Sequence, residues 1–433
     1  MMHPLHASAA DLRDRLYPLQ GRVQHYAWGG YRYIPALLGI DNTENKPCAE
    51  LWMGAHPGAP SLLSGMTPPV DLLQWIERHP LEMLGQASID RFGGRLPYLF
   101  KVLDARDMLS IQVHPSKEQA EAGFDAEERL GIPRNDPKRT YKDDNHKPEL
   151  HVALTEFWML HGFRPLEEAA DTFSAVPELE PLAPNLRLYL EDVGDDPQHR
   201  RELLRALYGH IMTMPQREMD RLLDGLLARI EPLFDRGVLN KYSPHYWAVK
   251  AARTFPQPDG GRDRGILSIY LMNLLRLKPG QATFQAAGVP HAYLEGVNVE
   301  LMANSDNVLR GGLTPKHVDV AALLKTIDFS SGPAAILQGE AISETERIYA
   351  APAADFSLSC IRIAANKTHV QSSAHGADCL LTLQGEVILA NSAGQRSLRR
   401  GDIVFIPAET AYTLGAVIKS VLYRATVPLQ TIL

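Results

Sequence analysis

Alternating and helical patterns of apolar residues divide this chain into three kinds of stretch. From about 20 to 160, short apolar runs alternate with loops rich in Gly and Pro. Runs 96–103 and 109–113 read as paired strands around a turn at 104–107. Positions 71–79 predict a short helix with Leu72, Leu73 and Ile76 on one face, and 120–130 a second, more polar one. From about 165 to 255 the period becomes helical. Met219, Leu222, Leu223, Leu226, Leu227 and Ile230 recur at i, i+3, i+4 spacing, and Leu203, Leu204, Leu207 and Ile211 form a shorter version. Pro197 and Pro215 stand where first-turn prolines are tolerated. A strand pattern returns near Leu267. A turn at 278–281 leads into a strand at 282–284, and 318–326 reads as helix. The last block, about 335–433, is β again.

Two segments of the β blocks share a layout. Pro-Gly-Gln…Val-Pro-His-Ala-Tyr, starting at Pro279, and Arg-Gly-Asp…Ile-Pro-Ala-Glu-Thr-Ala-Tyr, starting at Arg400, correspond 121 residues apart. This resembles the second half-motif of cupin barrels, present twice. In the second copy Tyr412 stands near the place where a metal-binding His is expected, and His369 and His375 are isolated. The expected architecture is mainly β with an α insert. A discontinuous cupin or jelly-roll catalytic domain (1–160 and 256–330) carries a helical insert (161–255), and a degenerate cupin-like β domain (331–433) lacks metal ligands.

Composition narrows the partners. The 433 residues are 45% hydrophobic and 22% charged, ordinary for a folded protein of two or three units. The net charge of −7 argues against broad binding to nucleic acid or anionic membranes. No run approaches the ~20 apolar residues of a membrane span, and residues 1–15 carry no long apolar core, so no secretory signal is expected. Cys48, Cys360 and Cys379 are odd in number and far apart, which points to buried thiols and the cytosol rather than disulfides. No obligate protein partner is evident.

The chemistry begins at Ser110-Ile-Gln-Val-His-Pro115. On a strand, Gln112 and His114 share one face. In Asn145-His-Lys-Pro-Glu149-Leu-His151, Glu149 and His151 share another, and His291 follows Pro290 at a strand end. Gln112, His114, Glu149 and His291 would offer two imidazoles, a carboxylate and an amide oxygen. That set suits Zn²⁺ with a position left for water or substrate, although mixed N/O sites also take other divalent ions. Residues 300–316 form a stretch rich in turn formers with Glu300, Asp306, Arg310 and Lys316, where Arg310, Lys316 and Lys147 could hold a phosphate or an oxyanion. His151 and His56 read as structural, Glu50 as either a pocket residue or, by a small margin, a buried partner of an Arg, and Lys117, Glu118 and Glu121 as a solvated helix face.

Seven motifs in order give the chain a resemblance to the type I phosphomannose isomerases. They are Tyr26-Ala-Trp-Gly29, Ala49-Glu-Leu-Trp-Met-Gly-Ala-His-Pro57, Leu99-Phe-Lys-Val-Leu103, Leu109-Ser-Ile-Gln-Val-His-Pro115, Asn145-His-Lys-Pro-Glu149, Pro290-His-Ala-Tyr-Leu294, and Ser305-Asp-Asn-Val-Leu-Arg310 running to Leu313-Thr-Pro-Lys316. The resemblance spans nearly the whole length. It departs at Leu301, where members often have Ala or Cys, and at Gly311, where they often have Ala. It implies one Zn²⁺ per chain held by Gln112, His114, Glu149 and His291, and a catalytic role for Arg310. It also implies a pocket of Trp28, Lys101, Ser110, Lys147, Tyr293, Glu300, Asp306 and Lys316. The implied activity interconverts D-mannose 6-phosphate and D-fructose 6-phosphate through a cis-enediol, serving mannose metabolism and nucleotide-sugar supply.

On that reading Arg310 stabilises the oxyanion, Glu300 or Asp306 is the base, and Lys316 supplies or relays a proton. Lys147 or His146 assists ring opening, and Lys101 and Ser110 hold the phosphate. A metal cupin that senses sugar phosphates without turnover is the alternative; loss of Arg310 or of an acid would have favoured it. An Fe²⁺ cupin oxygenase fits poorly with a Gln ligand and a Lys/Arg-rich pocket. No Gly-rich loop supports a fused nucleotidyltransferase.

Overall fold

Alternate side chains of the strand Phe157–Phe163 face opposite ways, as a pleated backbone requires. In the computed structural model, which describes residues 12–258, 260–372 and 376–428, Phe157 and Met159 meet Leu103, Leu109 and Tyr293 in an inner cluster. Trp158 and Leu160 pack outward on the helices with Phe173, Leu226 and Trp247. The opposite wall divides in the same way. Leu103 and Ala105 of the strand Tyr98–Ala105 face the inner cluster, while Phe100 and Val102 pack against Leu358, Phe405 and Tyr423 of the C-terminal block. The molecule is thus a stack: helices, two sheets around a partly polar interior, then two more sheets enclosing Ile361, Leu380, Val387 and Leu414. The readings made at His375 and in the first eleven residues lie outside the described residues.

The strand His291–Ala303 ties the two inner sheets together. Its first residues pair with Gln112–Val113 and Phe157–Phe163, and its last with Tyr98–Ala105 and Glu149–Ala153. The register shifts between Tyr293 and Glu295. Gly296 follows with φ of 126°, and an added Cβ would stand 2.5 Å from the Glu156 carbonyl oxygen, so only glycine lets the strand bend here. The described strands form no closed ring, and the architecture is a mainly β sandwich with added helices.

Several expected helices are present. Leu72–Arg78 starts at Asp71, whose side chain accepts from the Gln74 N–H. Lys117–Arg129 begins earlier than expected because Ser116 and Gln119 form a capping box, and its Lys117–Glu121 pair is exposed. Pro197–Thr213, Gln216–Asp235 and Val320–Thr326 follow their apolar spacing.

Other expectations are corrected. The 96–103 and 109–113 runs do not pair. Tyr98–Ala105 lies between Glu50–Gly54 and His291–Ala303, and only Gln112–Val113 is strand, paired with His291 and with Leu309–Arg310. Leu267 lies in the helix Gly265–Leu271; every residue of that segment is buried, so it shows no one-sided period, and strand begins at Met272. The 300–316 stretch opens as strand up to Ala303 and returns to strand at Leu309–Arg310. Near the N-terminus, Tyr17–Gln20 pairs with Ile403–Ile406 of the C-terminal block rather than with the two inner sheets.

The repeated layout has a structural counterpart. Gly280 and Gly401 take nearly the same left-handed φ, 89° and 90°, and His291 and Tyr412 each open the strand that follows. In the second copy the Tyr412 hydroxyl donates to Asp378 at 2.7 Å. Arg424 lies between Asp378 at 3.5 Å and Glu346 at 2.6 Å. Among the described residues, only His114, Glu149 and His291 form a cluster of ligand-type side chains able to hold a metal ion.

The buried Tyr98 hydroxyl donates to the carbonyls of Ala377 and Ala425, joining the catalytic sheet to the C-terminal block. Tyr98→Phe is expected to lower stability by about 1–2 kcal/mol, measured as a lower urea midpoint with zinc content unchanged.

Candidate active site

Three strands and one hairpin-like approach carry the polar interior. Glu149 opens Glu149–Ala153, His291 opens His291–Ala303, and His114 follows Gln112–Val113. His114 Nε2 lies 3.3 Å from one Glu149 oxygen and His291 Nε2 lies 3.2 Å from the other. All three side chains are buried. Gln112 lines the same cavity of about 50 Å³, and its backbone pairs with His291 on one side and Arg310 on the other.

The imidazole tautomers follow from the hydrogen bonds. The Asn307 carbonyl lies 2.8 Å from His114 Nδ1, and the Val289 carbonyl 3.0 Å from His291 Nδ1. A carbonyl only accepts, so both Nδ1 atoms carry the proton and both Nε2 atoms present lone pairs to the carboxylate. Burial lowers the His114 pKa to about 4. Burial alone would raise Glu149, but the Lys147 ammonium at 3.1 Å holds it well below the ordinary range. His114 Nε2 is buried with no hydrogen-bond partner. Lone pairs held this close in a dry interior call for a cation, and backbone-fixed imidazoles beside a carboxylate are the donor set that Zn²⁺ takes.

A second polar group forms the cavity wall. Lys101 donates to Glu300 at 2.9 Å, and the Tyr293 hydroxyl donates to the other Glu300 oxygen at 2.6 Å. Burial lowers the Lys101 pKa, but Glu300, Glu50 and Glu149 together raise it above the usual lysine value. Burial and then Glu300 keep the Tyr293 hydroxyl protonated. Glu50, expected to partner an Arg, instead accepts from Trp52 Nε1 at 2.6 Å and lines the cavity. The Lys101 ammonium lies 5.5 Å over the Trp52 ring.

The remaining residues do not line that cavity; Arg310 lines a separate cleft with Arg139 and His317, and Lys316 another with Gln257 and Arg264. Arg310 and Lys316 make no ion pair among the described residues. Burial lowers both pKa values, and for Lys316 so do the positive charges of Arg310 and Lys142. Trp28 stacks on Tyr26 and packs against the cluster that holds Leu109 and Tyr293. Ser110 is half-buried just before Gln112–Val113. The Asp306 carboxylate is exposed and lies 3.6 Å from His56. His146 turns away from the cavity and bonds Asp355 of the C-terminal block at 2.8 Å. His151 lies buried on Thr283, Gln285 and Tyr293. Sequence reasoning missed Asn307, whose carbonyl fixes His114 while its amide bonds the backbone of Asp143 and Asn145 leading to Glu149; its only signal was its place within the Ser305 to Arg310 motif.

Fold and site together define a cupin-type protein with a buried two-histidine, one-carboxylate metal centre. The family model for the phosphomannose isomerase type I catalytic domain matches residues 16–166. The chain is 38% identical over 391 residues to a mannose-6-phosphate isomerase of Salmonella typhimurium, covering 89% of this chain and 93% of that one. It is 36% identical to the Mus musculus mannose-6-phosphate isomerase, covering 96% of each. A crystal structure of a mannose 6-phosphate isomerase bound with zinc and yttrium superposes with a TM-score of 0.82 at 35% identity, covering 95% of this chain and 99% of that one. The chain belongs to the type I phosphomannose isomerase family.

Three buried imidazoles stay neutral in the fold: burial takes His114 to about 4, His151 to about 3 and His161 to about 4. The unfolded chain, with histidine near 6.5, binds more protons between these limits, so stability falls as pH drops below about 6.5. The chelator-treated protein is expected to lose unfolding free energy steadily from pH 6.5 to 4.5, measured as urea midpoints across that range. A flat profile would contradict neutral buried imidazoles.

Proposed function

We propose that this chain is a zinc-dependent aldose–ketose isomerase that interconverts D-mannose 6-phosphate and D-fructose 6-phosphate. The observation that carries the reading is the buried His114–Glu149–His291 cluster in a chain of this family. His114, Glu149 and His291 would hold the zinc with Gln112 beside them. When bound, zinc acts as a Lewis acid that polarises sugar oxygens.

The chain's own groups supply the rest. Of the two candidate acids, Glu300 lines the cavity, whereas Asp306 is exposed beside His56 and does not line it, so Glu300 moves the proton between C1 and C2. Lys101 and Tyr293 hold it in place. Arg310, next to Gln112 in the sheet, offsets the developing oxyanion charge. Lys147 beside Glu149 assists ring opening. The Lys101 ammonium is committed to Glu300, which leaves Lys316 with Lys142 for the phosphate and Ser110 as a neutral contact. Trp28 walls the pocket. No protein partner is required by this chemistry. Among the described residues no helix is long and apolar enough to cross a membrane, and the free buried Cys48, Cys360 and Cys379 support a reducing, cytoplasmic setting.

The decisive assay measures fructose 6-phosphate formed from mannose 6-phosphate by the purified protein, before chelation, after it, and after zinc is restored. Activity is expected to vanish and return, and an inactive zinc-loaded protein would overturn the isomerase reading. Glu300→Gln is expected to lower kcat by about 10²–10⁴ with zinc retained. Lys316→Ala is expected to raise KM more than it lowers kcat, as read from initial rates.

A further inference from the structure

We propose that Asp263 is a positioning residue whose carboxylate sets the backbone that aims Arg310. The proposal rests on the Arg310 role given above. Asp263 is 7% exposed and stands one residue before Arg264, the N-cap of the helix Gly265–Leu271. One of its oxygens accepts from the N–H groups of Gly265 at 2.7 Å and Leu313 at 2.9 Å. The other accepts from the Thr314 N–H at 2.9 Å and the Gln257 side chain at 3.0 Å. Three backbone donors and one amide thus converge on a single buried carboxylate.

The backbone they hold is one that would not hold itself. Leu313 takes φ of +54°, left-handed and unfavourable for a residue with a side chain, and Gly312 takes +115°. An added Cβ on Gly312 would stand 2.5 Å from the Gly265 Cα, so the two main chains touch. On the other side, Ile111 N–H donates to Gly312 and Gly311 N–H donates to Ile111. Leu309–Arg310 is only two residues of strand, and the Arg310 guanidinium makes no ion pair among the described residues. The direction of the guanidinium therefore depends on the turn that follows it, and Asp263 is the anchor of that turn. Asn cannot replace it: one oxygen could still accept from Gly265 and Leu313, but the amide NH₂ would face the Thr314 N–H and the Gln257 amide, donor against donor.

A mutant cycle on the zinc-loaded full chain tests this. Asp263→Asn is expected to lower kcat by about tenfold or more, with KM little changed, because a small misplacement of a charge-stabilising group acts on the transition state. Zinc per chain is expected to stay constant. In an Arg310→Ala background, Asp263→Asn is expected to cost less than about threefold, since the group it aims is gone. An equal loss in both backgrounds means a merely structural role and overturns the proposal while leaving the Arg310 reading intact. Near-normal kcat in Arg310→Ala alone overturns both. Should Asp263→Asn not fold, the same cycle with Gln257→Ala decides: a smaller kcat loss confined to the Arg310 background supports the proposal, and a loss equal in both overturns it.

Discussion

Mutually repelling lone pairs, held face to face in a buried interior, are the constraint around which this structure is arranged. Two imidazole nitrogens and two carboxylate oxygens meet at 3.2–3.3 Å. Left free, such groups would rotate apart or take up protons. Neither escape is open. The protons sit on the far ring nitrogens, bonded to the Asn307 and Val289 carbonyls. The carboxylate is held ionised by Lys147. The backbone spends hydrogen bonds to create a concentrated demand for positive charge, and a divalent ion with nitrogen and oxygen preference meets it.

The layers explain how the chain maintains that demand. Each inner sheet turns an apolar face outward, one to the helices and one to the C-terminal block. The faces left inward can then carry Lys101, Glu149, Glu300 and Glu50 without exposing the sheets to solvent. The bend at Gly296 brings both sheets onto one strand, so His291, Tyr293 and Glu300 are fixed relative to one another by a continuous backbone. Rigid strands give such a site its precision, while Arg310 and Lys316, without ion pairs among the described residues, stand on a two-residue strand and the turn after it.

Much of the site was legible because alternation is a local property. The shared faces of Gln112 with His114 and of Glu149 with His151 follow from period, while the choice of Glu149 over His151 came from the family resemblance. The partner of a strand does not follow from it: the apolar runs at 98–105 and 112–113 look like a hairpin, yet a strand nearly 180 residues away separates them. An all-buried helix such as Gly265–Leu271 lacks the one-sided period that would reveal it. Asn307 and Asp263 act through backbone groups of other segments, and nothing in residue type marks such a contact. His146 stood beside Lys147 in a chemistry-bearing motif, but the loop before Glu149–Ala153 that carries both lets its ring reach Asp355 in the C-terminal block.

The C-terminal copy shows a different solution to the same electrostatic problem. There, buried Glu346 and Asp378 share Arg424 as a counterion, with Tyr412 donating where the first copy has an imidazole. A guanidinium is covalently attached and stays charged throughout the physiological range. At that point the chain supplies its own counterion. One polypeptide thus contains a buried charge arrangement that is complete once the chain is folded, and another that can take a cation from outside the chain.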